Sequence, residues 1–208
     1  MDDFQHDFQG VHITNQHVVL YHPKWCVRVG PDAEFRDCRI DVQMSARGLI
    51  LVRTRFIDCT IHFKRPLNNF PFTGAYFERC RIKGRLRGCE FGRRDDYANL
   101  PSFFPEAGIV DTDLSAAKLD GCRFMNCDLS TLRLPLWPCF TVPNHEAVRE
   151  QALRLPWHGR TYIIPDCWEQ EPPGTVAITE DARSICKRFG GTEAELRTVV
   201  EQIPGVIM

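Results

Sequence analysis

The sequence predicts a mainly β solenoid followed by a small helical domain. Three observations carry this prediction: apolar residues recur every fifth position, blocks of sequence recur every 21 residues, and the pattern turns helical near residue 141. A strand returns a side chain to the same face every second residue and a helix every 3.6 residues, so a period of five fits neither element alone. Short strands joined by regular turns are the arrangement that we infer from it.

The five-residue period is clearest in residues 112–136. There, large apolar residues stand at intervals of five, namely Leu114, Leu119, Phe124, Leu129 and Leu134. The positions two places before them are mostly small, namely Thr112, Ala117, Cys122, Cys127 and Leu132. A short extended segment that points its central residue inward, followed by a turn of roughly a right angle, explains both intervals. Four such faces close a coil of about 20 residues.

The longer repeat shows how such coils would stack. The segments "AEFRDCRID" (33–41), "TRFIDCTIH" (54–62) and "AYFERCRIK" (75–83) share the pattern F-x-x-C-x-I at a spacing of 21 residues. The pattern returns, with Leu in place of Ile, in "CRFMNCDLS" (122–130). Coils of nearly equal length can pair strand on strand and bury a continuous column of Phe, Leu and Ile.

This motif, a small residue followed two places later by Leu or Phe with polar residues between, resembles that of the pentapeptide-repeat family, roughly A-[DN]-L-x-x. The resemblance implies a right-handed quadrilateral β-helix, which we expect over residues 33–140. Cysteine takes the small position at Cys38, Cys59, Cys80, Cys122 and Cys127, which accounts for half of the ten cysteines. With no C-x-x-C pair in the chain, we interpret them as buried free thiols rather than disulfides or zinc ligands.

The remaining segments divide the chain further. Residues 1–32 are expected to form an N-terminal cap or first coil, because the open end of a β-helix needs cover. Residues 93–110 contain two prolines and a glycine and predict an irregular excursion. Residues 141–208 predict an α-rich domain or cap, with Thr179 and Thr192 as helix N-caps and Glu195 completing a capping box. Between its helices, "RTYIIPDCWEQEPPGTV" predicts a short strand and an acidic loop.

Charge is distributed unevenly although the formal net charge is only −1. Residues 28–94 hold 15 Lys and Arg against 7 Asp and Glu, whereas residues 95–128 hold 2 against 7. A bipolar surface of this kind favours a charged protein partner. The acidic N-terminus lacks the apolar segment of a signal peptide, and no apolar run is long enough to span a membrane, so we expect a cytoplasmic protein.

The sequence contains no catalytic signature that we recognise. It lacks G-x-S-x-G, the phosphate-binding G-x-x-x-x-G-K-[ST], G-x-G-x-x-G and H-E-x-x-H. His12, His17 and His22 are five apart, which on a four-faced coil places them on successive faces and not around one metal ion. We therefore predict a protein that is not an enzyme and that has no cofactor and no metal.

The family resemblance implies two kinds of protein-binding function. Some pentapeptide-repeat proteins are acidic DNA mimics that protect gyrase, but the repeats here are rich in arginine. Others bind and neutralise one protein, as immunity proteins of secreted bacterial toxins do. We predict an immunity protein that covers the active or substrate-binding surface of a cognate toxin, a nuclease effector being one case. Gyrase protection and a generic interaction scaffold remain alternatives, direct nucleic-acid binding is less favoured, and a homodimer stays open.

Two acidic segments are the candidate contact sites for that partner. An acidic surface would suit the basic substrate groove of a nuclease, and an aromatic side chain could anchor it. The candidates in the excursion are Asp95, Asp96, Tyr97 and Phe104. Those in the acidic loop of the C-terminal domain are Asp166, Trp168, Glu169 and Glu171.

Overall fold

The computed structural model describes residues 6–100 and 103–208, and within them the chain forms seventeen strands and four α-helices. The strands of the solenoid are, in chain order, β1 (Asp7–Phe8), β2 (His12–Thr14), β3 (His17–Leu20), β4 (Val27–Val29), β5 (Glu34–Arg36), β6 (Arg39–Val42), β7 (Leu49–Leu51), β8 (Thr54–Ile57), β9 (Thr60–Asn68), β10 (Ala75–Glu78), β11 (Arg81–Arg87), β12 (Glu90–Gly92), β13 (Gly108–Val110), β14 (Ala117–Asp120) and β15 (Cys122–Met125). The C-terminal unit contains β16 (Cys139–Pro143), α1 (His145–Leu153), α2 (Ile163–Cys167), β17 (Thr175–Asp181), α3 (Ala182–Phe189) and α4 (Glu193–Val200).

Parallel sheets run along the stacked coils. The first sheet has the order β1-β4-β7, the second β13-β10-β8-β5-β2 and the third β14-β11-β9-β6-β3. Each of these strands pairs in parallel with the equivalent strand of the next coil, so that Phe35 lies opposite Phe56 and Phe56 opposite Phe77. The predicted fold class, a mainly β solenoid of the quadrilateral β-helix type with short C-terminal helices, is confirmed.

The core is a set of ladders in which the same residue type stacks from coil to coil. Ring centroids lie 5.4 Å apart between Phe35 and Phe56 and 5.3 Å apart between Phe56 and Phe77, with nearly parallel planes. A second column contains Phe72, Phe91 and Phe124. Offset aromatic stacking adds to the free energy gained by burying these rings.

The repeated cysteines occupy the small inward positions and link successive coils. The Cys59 thiol donates a hydrogen bond to the carbonyl of Phe35 at 3.4 Å, and the Cys80 thiol donates to that of Phe56 at 3.3 Å. Thr54 makes the same kind of contact, from its hydroxyl to the carbonyl of Val29 at 2.9 Å. A thiol therefore fits the interior here because it is small and can also donate to a backbone carbonyl.

The excursion lengthens one coil and folds onto the second sheet. Phe77 pairs with Ile109, so the chain returns to the solenoid at β13. Phe104 is buried, with the Arg55 guanidinium 6.0 Å from its ring centroid, and Arg55 also forms an ion pair with Glu106. The loop thereby covers part of the outer surface of the second sheet.

The C-terminal unit covers a solenoid edge by strand pairing. In the fourth sheet, ordered β12-β15-β17-β16, β17 runs antiparallel to β15 and places Ala177 opposite Phe124. An edge that would otherwise be open is thus paired. Among the residues described, no helix is both long and apolar enough to cross a membrane.

The local elements of this unit differ in part from the prediction. Thr179 is not an N-cap, because β17 extends to Asp181, whose carboxylate accepts the cap hydrogen bond from the Ser184 N–H at 2.9 Å. The strand expected near Ile163 is the helix α2, which continues into a short 3-10 helix. The capping box of Thr192 and Glu195 at the start of α4 is confirmed.

Candidate binding surface

The outer surface of the third sheet is the most basic part of the solenoid. The excursion lies on the second sheet, and β17 occupies the edge of β15 in the fourth. Outward positions of the third sheet instead carry a series of cationic or titratable side chains, namely His17, Arg39, His62, Lys64, Arg81, Lys83, Arg85, Arg87 and Lys118. This surface carries six of the 15 Lys and Arg side chains of residues 28–94.

An irregularity between β9 and β11 shapes the centre of this surface. Gly84 pairs with Phe63 and Leu86 pairs with Leu67, so three residues of β9 stand opposite the single residue Arg85. The extra residues bulge outward, and Lys64 and Arg65 among them are exposed.

Gly84 makes this bulge possible. Its φ is +130°, and a Cβ placed there would lie 2.6 Å from the carbonyl oxygen of Phe63. Any other residue would be strained and would also push the two strands apart.

The bulge and the neighbouring strands form a shallow groove of about 590 Å³. We call it the basic groove and define it by the side chains of His62, Lys64, Arg65, Lys83, Arg85 and Lys118. Within the described part of the chain, Arg65, Lys83, Arg85 and Lys118 have no acidic side chain within 4 Å, whereas Lys64 pairs with Asp41 at 3.3 Å. Four of these cations are therefore available to a ligand.

Carboxylates limit the basic groove at both ends. At one end, the mostly buried Asp41 lies 3.1 Å from His17 and 3.7 Å from Arg39. Although burial raises the pKa of Asp41, hydrogen bonds with His17 and Lys64 lower it below its ordinary value overall. At the other end, the Asp120 carboxylate pairs with Arg87 at 3.3 Å, in an adjoining depression that also contains Asp181.

The chemistry available in the basic groove is that of anion binding. None of the described residues that line it is a serine, threonine, cysteine or carboxylic acid, so it holds neither a hydroxyl or thiol nucleophile nor a carboxylate base. Across residues 6–100 and 103–208, no group of three or more His, Cys, Asp or Glu side chains is arranged to hold a metal ion.

The predicted contact residues of the excursion lie elsewhere and are largely satisfied within the chain. Asp95 pairs with Arg93 at 2.6 Å, and Asp96 pairs with Arg94 at 2.5 Å. The guanidinium of Arg94 also lies 4.4 Å from the ring centroid of Tyr97. Because each carboxylate is neutralised by a neighbouring arginine, this segment presents no free acidic patch. With Phe104 buried, it presents no exposed phenylalanine at that position either.

The second predicted group is also neutralised. Arg149 lies 2.8 Å from Glu169 and 3.6 Å from Asp166, and Arg123 of the solenoid donates to Glu171 at 3.2 Å. Trp168 is only 3% exposed, so it is not the surface anchor that the sequence predicted. The 3-10 helix after α2 turns its indole inward, where it packs edge-on against the ring of His145.

Both predicted segments contact residues of the solenoid on β15 or just after it. The Asn126 amide donates to Asp95 at 3.2 Å and to the carbonyl of Arg93 at 2.9 Å. Its backbone N–H donates to the carbonyl of Gly174, just beyond the acidic segment. At the fourth sheet, Asp95 therefore holds the excursion to the solenoid, and Glu171 holds the C-terminal unit to it.

The sequence prediction did not include the basic groove, because charge was summed over segments of the chain and not over the positions that share one face of a strand. The segment "RIKGRLR" of β11 places Arg81, Lys83, Arg85 and Arg87 at every second position. Alternation of period two puts all four side chains on one face. This pattern, visible in the sequence, was the signal that could have located the surface.

Comparisons with known proteins do not assign the chain to a family. No protein-family model matches the chain, and no curated protein matches it. Among solved structures, the chain is similar to trypsin-treated QnrB1, described as a plasmid-mediated fluoroquinolone resistance protein. That match has 19% sequence identity and a TM-score of 0.38, and it covers 60% of this chain and 68% of QnrB1.

Proposed function

We propose that the protein is a non-catalytic binding module that docks onto one partner protein and inhibits it, as an immunity protein does to its cognate bacterial toxin. The observation that carries the proposal is a repeat scaffold whose third sheet presents unpaired cations, in a basic groove whose described lining has no hydroxyl, thiol or carboxylate side chain. Stacked coils of this kind present a preformed surface, which reduces the entropic cost of binding a partner.

The proposed contact surface differs from the one expected from the sequence. The acidic residues of the excursion and of the segment after α2 already pair with Arg93, Arg94, Arg123 and Arg149. Recruiting them for a partner would break those pairs. The basic groove offers unpaired charge without such a cost, so the inhibited surface of the partner should be acidic.

Gyrase protection is the competing function, and the charge of the third sheet argues against it. A DNA mimic needs a continuous run of negative charge, about one charge per 1.7 Å in a duplex. The outer face of the third sheet has the opposite sign, with Arg81, Lys83, Arg85 and Arg87 in one line. This geometry supports a partner other than the DNA-binding surface of a topoisomerase.

The test is purification of the tagged full-length chain from its native cells, identification of stoichiometric partners by mass spectrometry, and assay of the partner with and without added chain. We expect one partner protein whose activity the chain inhibits at a ratio near one to one. Recovery of no such partner, or of one whose activity is unchanged, would overturn the proposal. Protection of gyrase supercoiling from a quinolone would overturn it in favour of the competing function.

A further inference from the structure

We infer that the basic groove binds a discrete cluster of Asp and Glu side chains on the partner protein, and not the backbone of a nucleic acid. The inference rests on the proposed function, because it names the chemistry by which the partner is recognised. Its basis is the arrangement of like charges in the groove, the carboxylates at its ends and the side chains that line it.

Two cations of the basic groove face each other without an intervening acid. Arg85 on β11 and Lys118 on β14 are directly paired in the register of the third sheet. Like charges directly opposite each other in a sheet destabilise the fold. Within the described part of the chain neither residue has an acidic partner within 4 Å, so no ion pair offsets this repulsion. A carboxylate bound between them would relieve it.

The side chains supplied by the groove suit carboxylates. The guanidinium groups of Arg65 and Arg85 can each donate two hydrogen bonds to one carboxylate. The ammonium groups of Lys83 and Lys118 add charge with freer geometry. Lys83 is half-buried, whereas Arg65, Arg85 and Lys118 are exposed. A carboxylate paired with Lys83 is therefore screened less by salt than one paired with the exposed cations.

The ends of the groove argue against a continuous polyanion. A nucleic-acid backbone that crosses the groove would have to run on past Asp41 at one end or Asp120 and Asp181 at the other. There the cations are already paired with carboxylates, Asp41 with Lys64 and Asp120 with Arg87, so the row of unpaired cations does not continue along its evenly spaced phosphates. A compact acidic patch on a folded protein fits between these paired carboxylates.

The lining of the groove also lacks a platform for bases. Proteins that bind single strands stack bases on exposed aromatic rings. The only aromatic side chain of the groove besides the His62 imidazole is that of Phe63, which is buried in the core. The observations therefore favour an acidic protein surface over either form of nucleic acid.

The test compares two labelled probes by fluorescence anisotropy: a short poly-L-glutamate peptide and a DNA duplex of matched length, each with the full-length chain. The groove variant is Lys83→Glu with Arg85→Glu and Lys118→Glu. A matched variant changes the same number of exposed cations outside the groove, Lys24→Glu with Arg160→Glu and Lys187→Glu. A milder variant, with Gln in place of Glu at the three groove positions, guards against misfolding of the first.

We expect the peptide to bind the wild-type chain more tightly than the duplex does. The groove variant should weaken peptide binding by at least about tenfold, the Gln variant by less, and the matched variant by no more than about twofold. Tighter binding of the duplex, absence of peptide binding, or equal losses in the groove and matched variants would each overturn the inference.

The purified partner separates this inference from the proposed function. If the groove variant loses the partner and the matched variant retains it, the inference is supported. If the groove variant still binds and inhibits the partner, the inference fails and the proposed function stands. If the wild-type chain inhibits no partner, the proposed function itself fails.

Discussion

The ring of Phe77 stacks on that of Phe56 with centroids 5.3 Å apart and planes inclined by 10°. Phe56 stacks in the same way on Phe35, one coil earlier. A single coil has no interior of its own, so each ring is buried by the coils before and after it. Since β9 belongs to the coil of Phe56 and β11 to that of Phe77, the stacked rings also fix the strands on which the centre of the basic groove lies.

Substitution Phe77→Ala should remove the last ring of this column. Phe77 is 1% exposed, and truncation of a buried phenylalanine costs about 3–5 kcal/mol of unfolding free energy. Urea unfolding followed by circular dichroism measures the loss. As a control, Arg81→Ala on the outer face removes only a partly exposed ion pair with Asp113 and should change stability by no more than about 0.5 kcal/mol. A loss below about 1 kcal/mol for Phe77→Ala would contradict the buried, stacked position of this ring.

Substitution Gly84→Ala should disrupt the bulge that presents Lys64 and Arg65. The added Cβ would meet the Phe63 carbonyl oxygen at 2.6 Å, in a backbone conformation with φ of +130°. We expect a loss of at least about 2 kcal/mol in urea unfolding, together with weaker binding of an acidic probe. The control is Gly121→Ala, with φ of +62° and its nearest atom at 3.9 Å, which should cost only about 1 kcal/mol. Equal losses for the two variants would show that the bulge is not tightly packed.

Much of the fold could be predicted because a solenoid repeats its local environment. Phe35, Cys38 and Ile40 of "AEFRDCRID" are buried, and the equivalent positions meet the same kinds of neighbour in every coil. The same residue types therefore recur with the same spacing. The C-terminal unit has no such repetition. There, antiparallel pairing with β15 keeps the chain extended through Thr179, and tertiary contacts override a local N-cap signal.

The alternation in β11 could locate the basic face, but the unpaired charges of the candidate site could not be predicted, because they depend on which charges the fold brings into pairs. Asp95 and Asp96 looked available in the sequence, but their partners Arg93 and Arg94 are neighbours whose side chains fold back on them. Arg85 and Lys118 are 33 positions apart and are brought together only by the register between β11 and β14. The length of the excursion sets that register, and a local pattern does not reveal it.

Thiol reactivity should separate packing cysteines from accessible ones. All ten cysteines are free, and Cys26 and Cys167 are the exposed ones. Burial raises the pKa of Cys127 to about 12, which further suppresses its reactive thiolate. With an aromatic disulfide reagent under native conditions, we expect Cys26 and Cys167 to react first and the repeat cysteines to react only after denaturant is added. Mass mapping of the modified peptides checks this order, and early labelling of Cys59 or Cys80 would contradict it.

Stability should fall as pH rises through the range set by Glu180. Burial, together with the nearby Asp120 carboxylate, raises the pKa of Glu180 from 4.5 to about 7, although Arg188 lies 3.7 Å away. Its buried Oε2 atom has no hydrogen-bond partner among the described residues. Below pH 4.5 the side chain is protonated in both states. Between pH 4.5 and 7 the unfolded chain releases the proton while the folded chain keeps it, so this contribution to stability is lost as pH rises.

The variant Glu180→Gln should remove that pH dependence. We expect the difference in unfolding free energy between variant and wild type to shift in favour of the variant by about 1–3 kcal/mol between pH 4.5 and 7.5. Urea unfolding at several pH values measures it, and comparing the two proteins at each pH cancels other titrating groups such as His145. Glu150→Gln, at an exposed helix position, should leave the wild-type profile unchanged. A constant difference between Glu180→Gln and wild type across this range would mean that Glu180 is ionised in the folded protein throughout.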